Sequence, residues 1–234
     1  GIGGDTAYDM NKRLDGDIFS KNPTVLMVTF GMNDSGYYEY NGDNAKEFGE
    51  QKYQESIKNF QQMEKRFKEL PHTRIVMTGT SPYDETAQIK DNTVFKKKNE
   101  TIKRIIEYQR ESAARNGWEF TDWNAPMVAI NQELQQKDPS FTLCGNDRIH
   151  PDNDGHMVMA YLFLKAQGFA GKDVANMEIN ANKKQAVKAE GCTISNIKKI
   201  GKDISFDYLA EALPYPLDTI ARGWGSKKSQ AEVI

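Results

Sequence analysis

Apolar residues along the chain follow two alternating periods. Residues 24–30 form a nearly unbroken apolar run between Pro23 and Gly31, the pattern of a strand covered on both faces in a parallel sheet. A second run at 74–80 stops at Ser81-Pro82, and a short third strand is predicted at 118–121. Between these runs the spacing becomes helical. Ala7, Met10, Leu14 and Ile18 share one face of a helix ending near 18. Tyr53, Ile57, Phe60, Met63 and Phe67 mark a second helix over 51–70, which Pro71 ends. Ile102, Ile105, Ile106 and Tyr108 belong to a third over 94–116, with Gly117 as its stop. Further helices are predicted at 125–134 and 155–167. Strand and helix in alternation predict an α/β fold: a parallel sheet joined by right-handed crossovers.

The pattern changes after about residue 171, so the chain divides into 1–171 and an extension, 172–234. In the extension, 192–200 and 203–208 read as a hairpin around Gly201-Lys202. Pro214 and Pro216 keep 213–217 extended. Trp224, between two glycines, reads as a packing residue.

Composition narrows the function classes. A chain of 234 residues holds one large α/β domain and a small appendage. A net charge of −2 and a pI near 6.0 point away from nucleic acid. Mean hydropathy is −0.72, and the longest apolar candidate, 157–164, falls far short of the ~20 residues of a membrane span. Cys144 and Cys192 lack metal-ligand spacing and can pair or stay free. Lys96-Lys97-Lys98 reads as the solvated face of its helix.

Three stretches can carry chemistry. The first strand stops at Gly31, and Asn33 and Asp34 follow, where parallel sheets bind ligands beyond the carboxyl ends of their strands. The same pair also suits an Asx turn. Residues 1–6 (Gly-Ile-Gly-Gly-Asp-Thr) look like a strand-to-helix loop, with Asp5 or Thr6 as the helix cap. Its glycines serve either turn geometry or a backbone N–H turned toward a ligand. In residues 147–151 (Asp-Arg-Ile-His-Pro), Asp147 and His150 stand three apart just before a helix. A short loop there can return the carboxylate to the imidazole, the orienting pair of a general base. Metal binding by Asp147, His150, Asp152, Asp154 and His156 is the competing reading, although Asp152 and Asp154 also suit helix capping. Residues 35–49 form a polar loop in which Tyr37, Tyr38 and Tyr40 either pack locally or stack on a ligand.

Taken together, residues 1–6, Gly31-Met32-Asn33-Asp34 and 147–151 resemble the second, third and fifth sequence blocks of the SGNH (GDSL-type) esterases and acylhydrolases. The order matches, and Gly4 and Asn33 lie 29 residues apart, room for the helix and strand that this family places there. The likeness covers residues 1 to about 170. It implies a three-layer α/β/α, flavodoxin-like fold and a serine ester hydrolase working without a cofactor or metal. Gly4 and Asn33 would form the oxyanion hole, His150 would be the general base, and Asp147 would orient it. Asp34, Tyr37 and Tyr38 would face substrate.

One block departs from the family. No Gly-Asp-Ser, the nucleophile block, occurs in the 234 residues. Ser20, Ser35, Ser56 and Ser81 are the early serines, and none follows a buried strand in the family's context. The expectation is a nucleophile in a stretch upstream of residue 1. The polar composition and the tyrosine loop favour short acyl groups on carbohydrate. Lipid acylhydrolase or thioesterase activity and a non-catalytic carbohydrate-binding relative are the alternatives. Secretion or a periplasmic location follows only from the resemblance.

Overall fold

The computed structural model describes residues 2–90, 92–221 and 228–233. Gly1 of the first glycine loop and Trp224 lie outside them. The chain forms two compact units, residues 1–167 with 218–234, and residues 168–217.

The first unit is built on a three-stranded parallel sheet, β1 (Val25–Phe30), β2 (Arg74–Gly79) and β3 (Glu119–Asp122), in the order β1-β2-β3. Phe30 pairs with Gly79, and Gly79 with Asp122, so the three carboxyl ends are level. Helix α1 (Ala7–Asp17) precedes β1, α2 (Ala45–Phe67) links β1 to β2, and α3 (Lys98–Asn116) links β2 to β3. Helices α4 (Asn124–Gln135) and α5 (Asn153–Ala166) follow. The main core joins Leu26, Val28 and Phe30 of β1 and Ile75 and Met77 of β2 to Phe60, Met63 and Phe67 of α2 and Ile105 of α3. A second core joins Trp123 and Met127 to Phe141, Leu143 and Val158.

Three expectations change. Strand β1 is covered on one face only: Leu26, Val28 and Phe30 are buried, whereas Val25 and Met27 are each 51% exposed. Helices α2 and α3 pack against each other and both contribute to the same core. The outer edge of β1 has no partner strand among the described residues. Helix α2 starts at Ala45, not at 51, so the polar loop is shorter than expected and contains a 3-10 turn over Tyr38–Asn41. Helix α3 starts at Lys98, not at 94, because Lys97 takes a left-handed conformation (φ 71°).

The second unit is antiparallel throughout. Strands β4 (Asn176–Asn180) and β5 (Gln185–Glu190) form one hairpin, which the sequence pattern missed. Strands β6 (Cys192–Ile200) and β7 (Asp203–Ala210) form the expected one. The chain then returns to the first unit. Gln230, in the one-turn helix α6 (Gln230–Val233), reaches the Asn153 side chain at 3.1 Å.

Candidate active site

The site is built from three loops. In the first, Ser35 N donates to Gly31 O at 3.0 Å and Gly36 N to Asn33 O at 3.1 Å, two overlapping turns. Gly36 is required there: its φ is +73°, and a Cβ would lie 2.4 Å from the Phe48 ring. These turns direct Asn33 and Asp34 to opposite tasks.

Asp34 is turned inward and 6% exposed. Its carboxylate accepts from Ala7 N at 2.9 Å, Gly31 N at 3.1 Å and Ser56 Oγ at 3.2 Å. The sequence reading set Asp34 against substrate. Its oxygens instead hold the start of α1 and the end of β1, because the first-turn N–H groups of a helix need an acceptor. Burial raises its carboxyl pKa, and the Ala7 and Ser56 bonds oppose that shift. Asp34→Asn offers one acceptor oxygen where two are used and turns an NH₂ toward an N–H. We expect a loss of about 1–3 kcal/mol, read as a lower urea midpoint. An unchanged midpoint would contradict this role.

Asn33 faces the other way. Its Nδ2 donates to Asp5 O at 3.0 Å, and its Oδ1 accepts from Tyr37 Oη at 2.6 Å. The first bond ties this loop to the glycine loop. There Asp5 N donates to Ile2 O at 3.3 Å, closing a turn with Gly4 at φ +83°. A positive φ at the third position marks a type II turn, which suits glycine. The turn bond does not use the Gly4 N–H. Thr6 is the cap of α1, and Asp9 accepts both its hydroxyl and its N–H. Asp5 pairs with Arg13 instead.

The tyrosines divide as well. Tyr38 is 79% exposed and meets Phe95 edge-on at 5.4 Å. Tyr40 is buried and donates to Ser35 O at 2.8 Å, which is local packing. Tyr37 is half-buried and bonded to Asn33. Burial first, then the charges of Asp147 and Asp34, push its hydroxyl up to about 12.

Lys98 is the largest surprise. Read as part of a solvated face, it is fully buried. Its ammonium donates to Ser35 Oγ at 2.5 Å, Gly36 O at 2.6 Å and Met32 O at 2.7 Å, and lies 3.8 Å from the Tyr37 ring centroid. Burial pushes it down to about 7, against the pull of Asp34 and Glu85. Lys98 lies on one buried helical stripe with Ile102, Ile105 and Gln109.

The third loop carries the titratable pair. His150 Nδ1 lies 2.6 Å from Asp147 Oδ2. The other oxygen, Oδ1, accepts the backbone N–H of Ile149 at 2.9 Å and of His150 at 3.0 Å. With a carboxylate at Nδ1, the neutral ring carries its proton there and presents Nε2 as the base. The imidazole is 76% exposed and the carboxylate 26%. Arg148, between them, is buried at φ 68°. Its Nη1 donates to Ala87 O at 2.7 Å and Asp84 O at 3.1 Å, and its Nε to Asn92 at 3.2 Å. Asp84 N returns a bond to Arg148 O at 3.0 Å. These anchors hold the loop, and no local sequence signal announces them.

The first and third loops pack against one cluster. Met32 and Ile149 both pack on the cluster of Tyr83, Ile102 and Ile106, and the Asp147 charge acts on the Tyr37 hydroxyl. Among the described residues, no hydroxyl or thiol is hydrogen-bonded to the His150 ring. Ser20 binds Gly16 O, Ser35 binds Met32 O, Ser56 binds Asp34, and Ser81 is buried just beyond β2. Cys144 and Cys192 are buried free thiols, and burial raises the Cys144 pKa. Among the described residues, no three His, Cys, Asp or Glu side chains are grouped to hold a metal ion, and no helix is long and apolar enough to cross a membrane.

The described residues thus combine a parallel sheet, a carboxylate–imidazole pair and an amide-bearing loop that follows β1. The chain belongs to the GDSL-like lipase/acylhydrolase family, whose model matches residues 1–158. No curated protein matches it. Among solved structures it is similar to Axe2, an acetylxylan esterase from Geobacillus stearothermophilus, at 23% identity and a TM-score of 0.54, over 72% of this chain and 70% of that one. A point variant of Axe2, described as an acetyl-xylooligosaccharide esterase, matches at 21% identity and a TM-score of 0.55, over 74% and 72%. Three further Axe2 structures are of catalytic mutants, altered at a serine, an aspartate and a histidine, the last two standing three residues apart. The protein is an ester hydrolase of the SGNH fold.

Proposed function

We propose that this protein is a serine esterase that removes short acyl groups, above all O-acetyl groups, from carbohydrate through an acyl-enzyme. The observation that carries the reading is the Asp147–His150 pair at 2.6 Å, on a loop that packs against the same cluster as the loop bearing Asn33. His150 Nε2 takes the proton of a serine hydroxyl as its oxygen attacks the ester carbonyl. The carbonyl π electrons move onto oxygen, and the oxyanion is held by the Gly4 N–H, the Asn33 side-chain N–H and the serine's own N–H. Collapse expels the alcohol, which takes the proton from His150. Water then attacks the acyl-enzyme, giving its proton to His150, and the acid leaves as the serine regains it. Asp147 holds the Nδ1–H tautomer and steadies the imidazolium in both halves.

The serine is proposed to lie upstream of residue 1. The edge of β1, which has no partner strand among the described residues, and the exposed Val25 and Met27 support this, since a strand with such an apolar run is stable when paired and covered. The acetylxylan esterases among similar structures, and their Asp and His mutants three residues apart, support the short-acyl reading and the same spacing here. Tyr38, exposed beside Phe95, is the proposed sugar contact.

The full-length protein tests this. We expect a Gly-Asp-Ser after an upstream apolar strand, hydrolysis of 4-nitrophenyl acetate and acetylated xylooligosaccharide, and loss of both when that serine becomes alanine. Activity that rises with acyl length would favour a lipid acylhydrolase. Absence of the serine together with retained sugar binding would favour a binding protein.

A further inference from the structure

The proposed oxyanion donor, Asn33, carries a side-chain amide, and an amide can present either its oxygen or its NH₂ to a ligand. Only the NH₂ stabilises an oxyanion. Asp5 O accepts one Nδ2–H at 3.0 Å and leaves the second N–H for the site. Tyr37 Oη donates to Oδ1 at 2.6 Å, on the opposite side of the amide. In the flipped amide, Oδ1 would face Asp5 O, acceptor against acceptor. Asp5 O therefore selects the productive orientation, and the Tyr37 hydroxyl holds the amide in it by donating to Oδ1. A bond into Oδ1 also draws density toward the carbonyl and strengthens the remaining N–H as a donor.

The tyrosine is itself held. Phe95 meets its ring edge-on at 6.1 Å, and the Lys98 ammonium sits 3.8 Å from the ring centroid. That ammonium binds Met32 O on one side of Asn33 and Ser35 Oγ and Gly36 O on the other. Both flanks of the Asn33 turn and the ring that reaches its amide thus rest on one buried cation.

We propose that Tyr37 is a positioning residue: its hydroxyl, braced by Lys98 beneath the turn, fixes the Asn33 amide with its NH₂ toward the developing oxyanion. This departs from the sequence-based expectation that Tyr37 packs locally or faces substrate, and it rests on the esterase reading above.

Tyr37→Phe keeps the ring and removes only the hydroxyl. On the full-length protein with 4-nitrophenyl acetate, kcat should fall roughly 3–10-fold while KM holds. In an Asn33→Ala background the same substitution should cause no further loss, because Tyr37 acts through that amide. A stacking ring predicts the reverse: Tyr37→Phe silent, and Tyr37→Ala raising KM. An unchanged kcat in Tyr37→Phe, or a loss that persists without Asn33, overturns the proposal. A protein with no esterase activity overturns the functional reading instead. The positioning claim is then read from the Asn33 side-chain NH₂ resonances, which should exchange faster with water in Tyr37→Phe. Exchange equal to wild type overturns it.

Discussion

Replacing His150 by alanine is expected to lower kcat on an acetyl ester by about 10²–10⁴-fold, toward the upper end. A serine hydroxyl is a poor nucleophile until its proton is removed, and His150 is an imidazole with a carboxylate on Nδ1 and its Nε2 left to act as the base. Asp147 occupies Nδ1 through Oδ2 and uses Oδ1 on two backbone N–H groups, so the pair is pre-set before substrate arrives. Because base and nucleophile act as a unit, adding Asp147→Asn to His150→Ala should cost little more. The imidazole is 76% exposed, so the substitution should leave unfolding unchanged within about 0.5 kcal/mol. Steady-state kinetics and urea unfolding on the same preparation check both statements. Wild-type kcat in the variant removes His150 from the chemistry.

Asn33→Ala is expected to lower kcat by about 10²–10³-fold, the cost of one oxyanion donor. In the proposed role the amide gains its partner only as charge develops on the carbonyl oxygen, so KM should change little. Alanine also loses the tie to Asp5 O, which is the link between the two proposed oxyanion loops. Asn33→Asp separates the two effects: it keeps an acceptor for Tyr37 but removes the donor and adds a repelling charge. Its kcat should fall at least as far as that of alanine. A variant at Asn33 that raises KM alone would make the residue a ground-state contact.

Much of the frame was legible. The runs at 24–30 and 74–80 and the helical spacing between them gave β1, α2 and β2 nearly in place, because buried strands and amphipathic helices write their periods directly. Asp147 and His150 were legible because three residues is the span of one turn, so their pairing is local. The losses have physical causes. Helix α2 extends back to Ala45 through Gly49, a residue that lowers helix propensity and hides the boundary. Asp34 lies beside Asn33 in sequence, but the turn sends the two side chains opposite ways. Lys98 looked solvated from its two lysine neighbours, yet it faces the core because its acceptors come from a loop more than sixty residues away. Arg148 is likewise anchored by carbonyls at Asp84 and Ala87.

Alone, the sequence determined the α/β class, the family and the local carboxylate–imidazole pair, since each is encoded within a few residues or by periodicity. The tertiary structure alone decided that Asn33 faces outward while Asp34 is buried. It also decided that the Tyr37 hydroxyl donates to the Asn33 amide oxygen and that Lys98 and Arg148 hold the loops from below. Those are contacts between distant segments. Whether a polar side chain meets water or a buried carbonyl depends on what the fold brings opposite it.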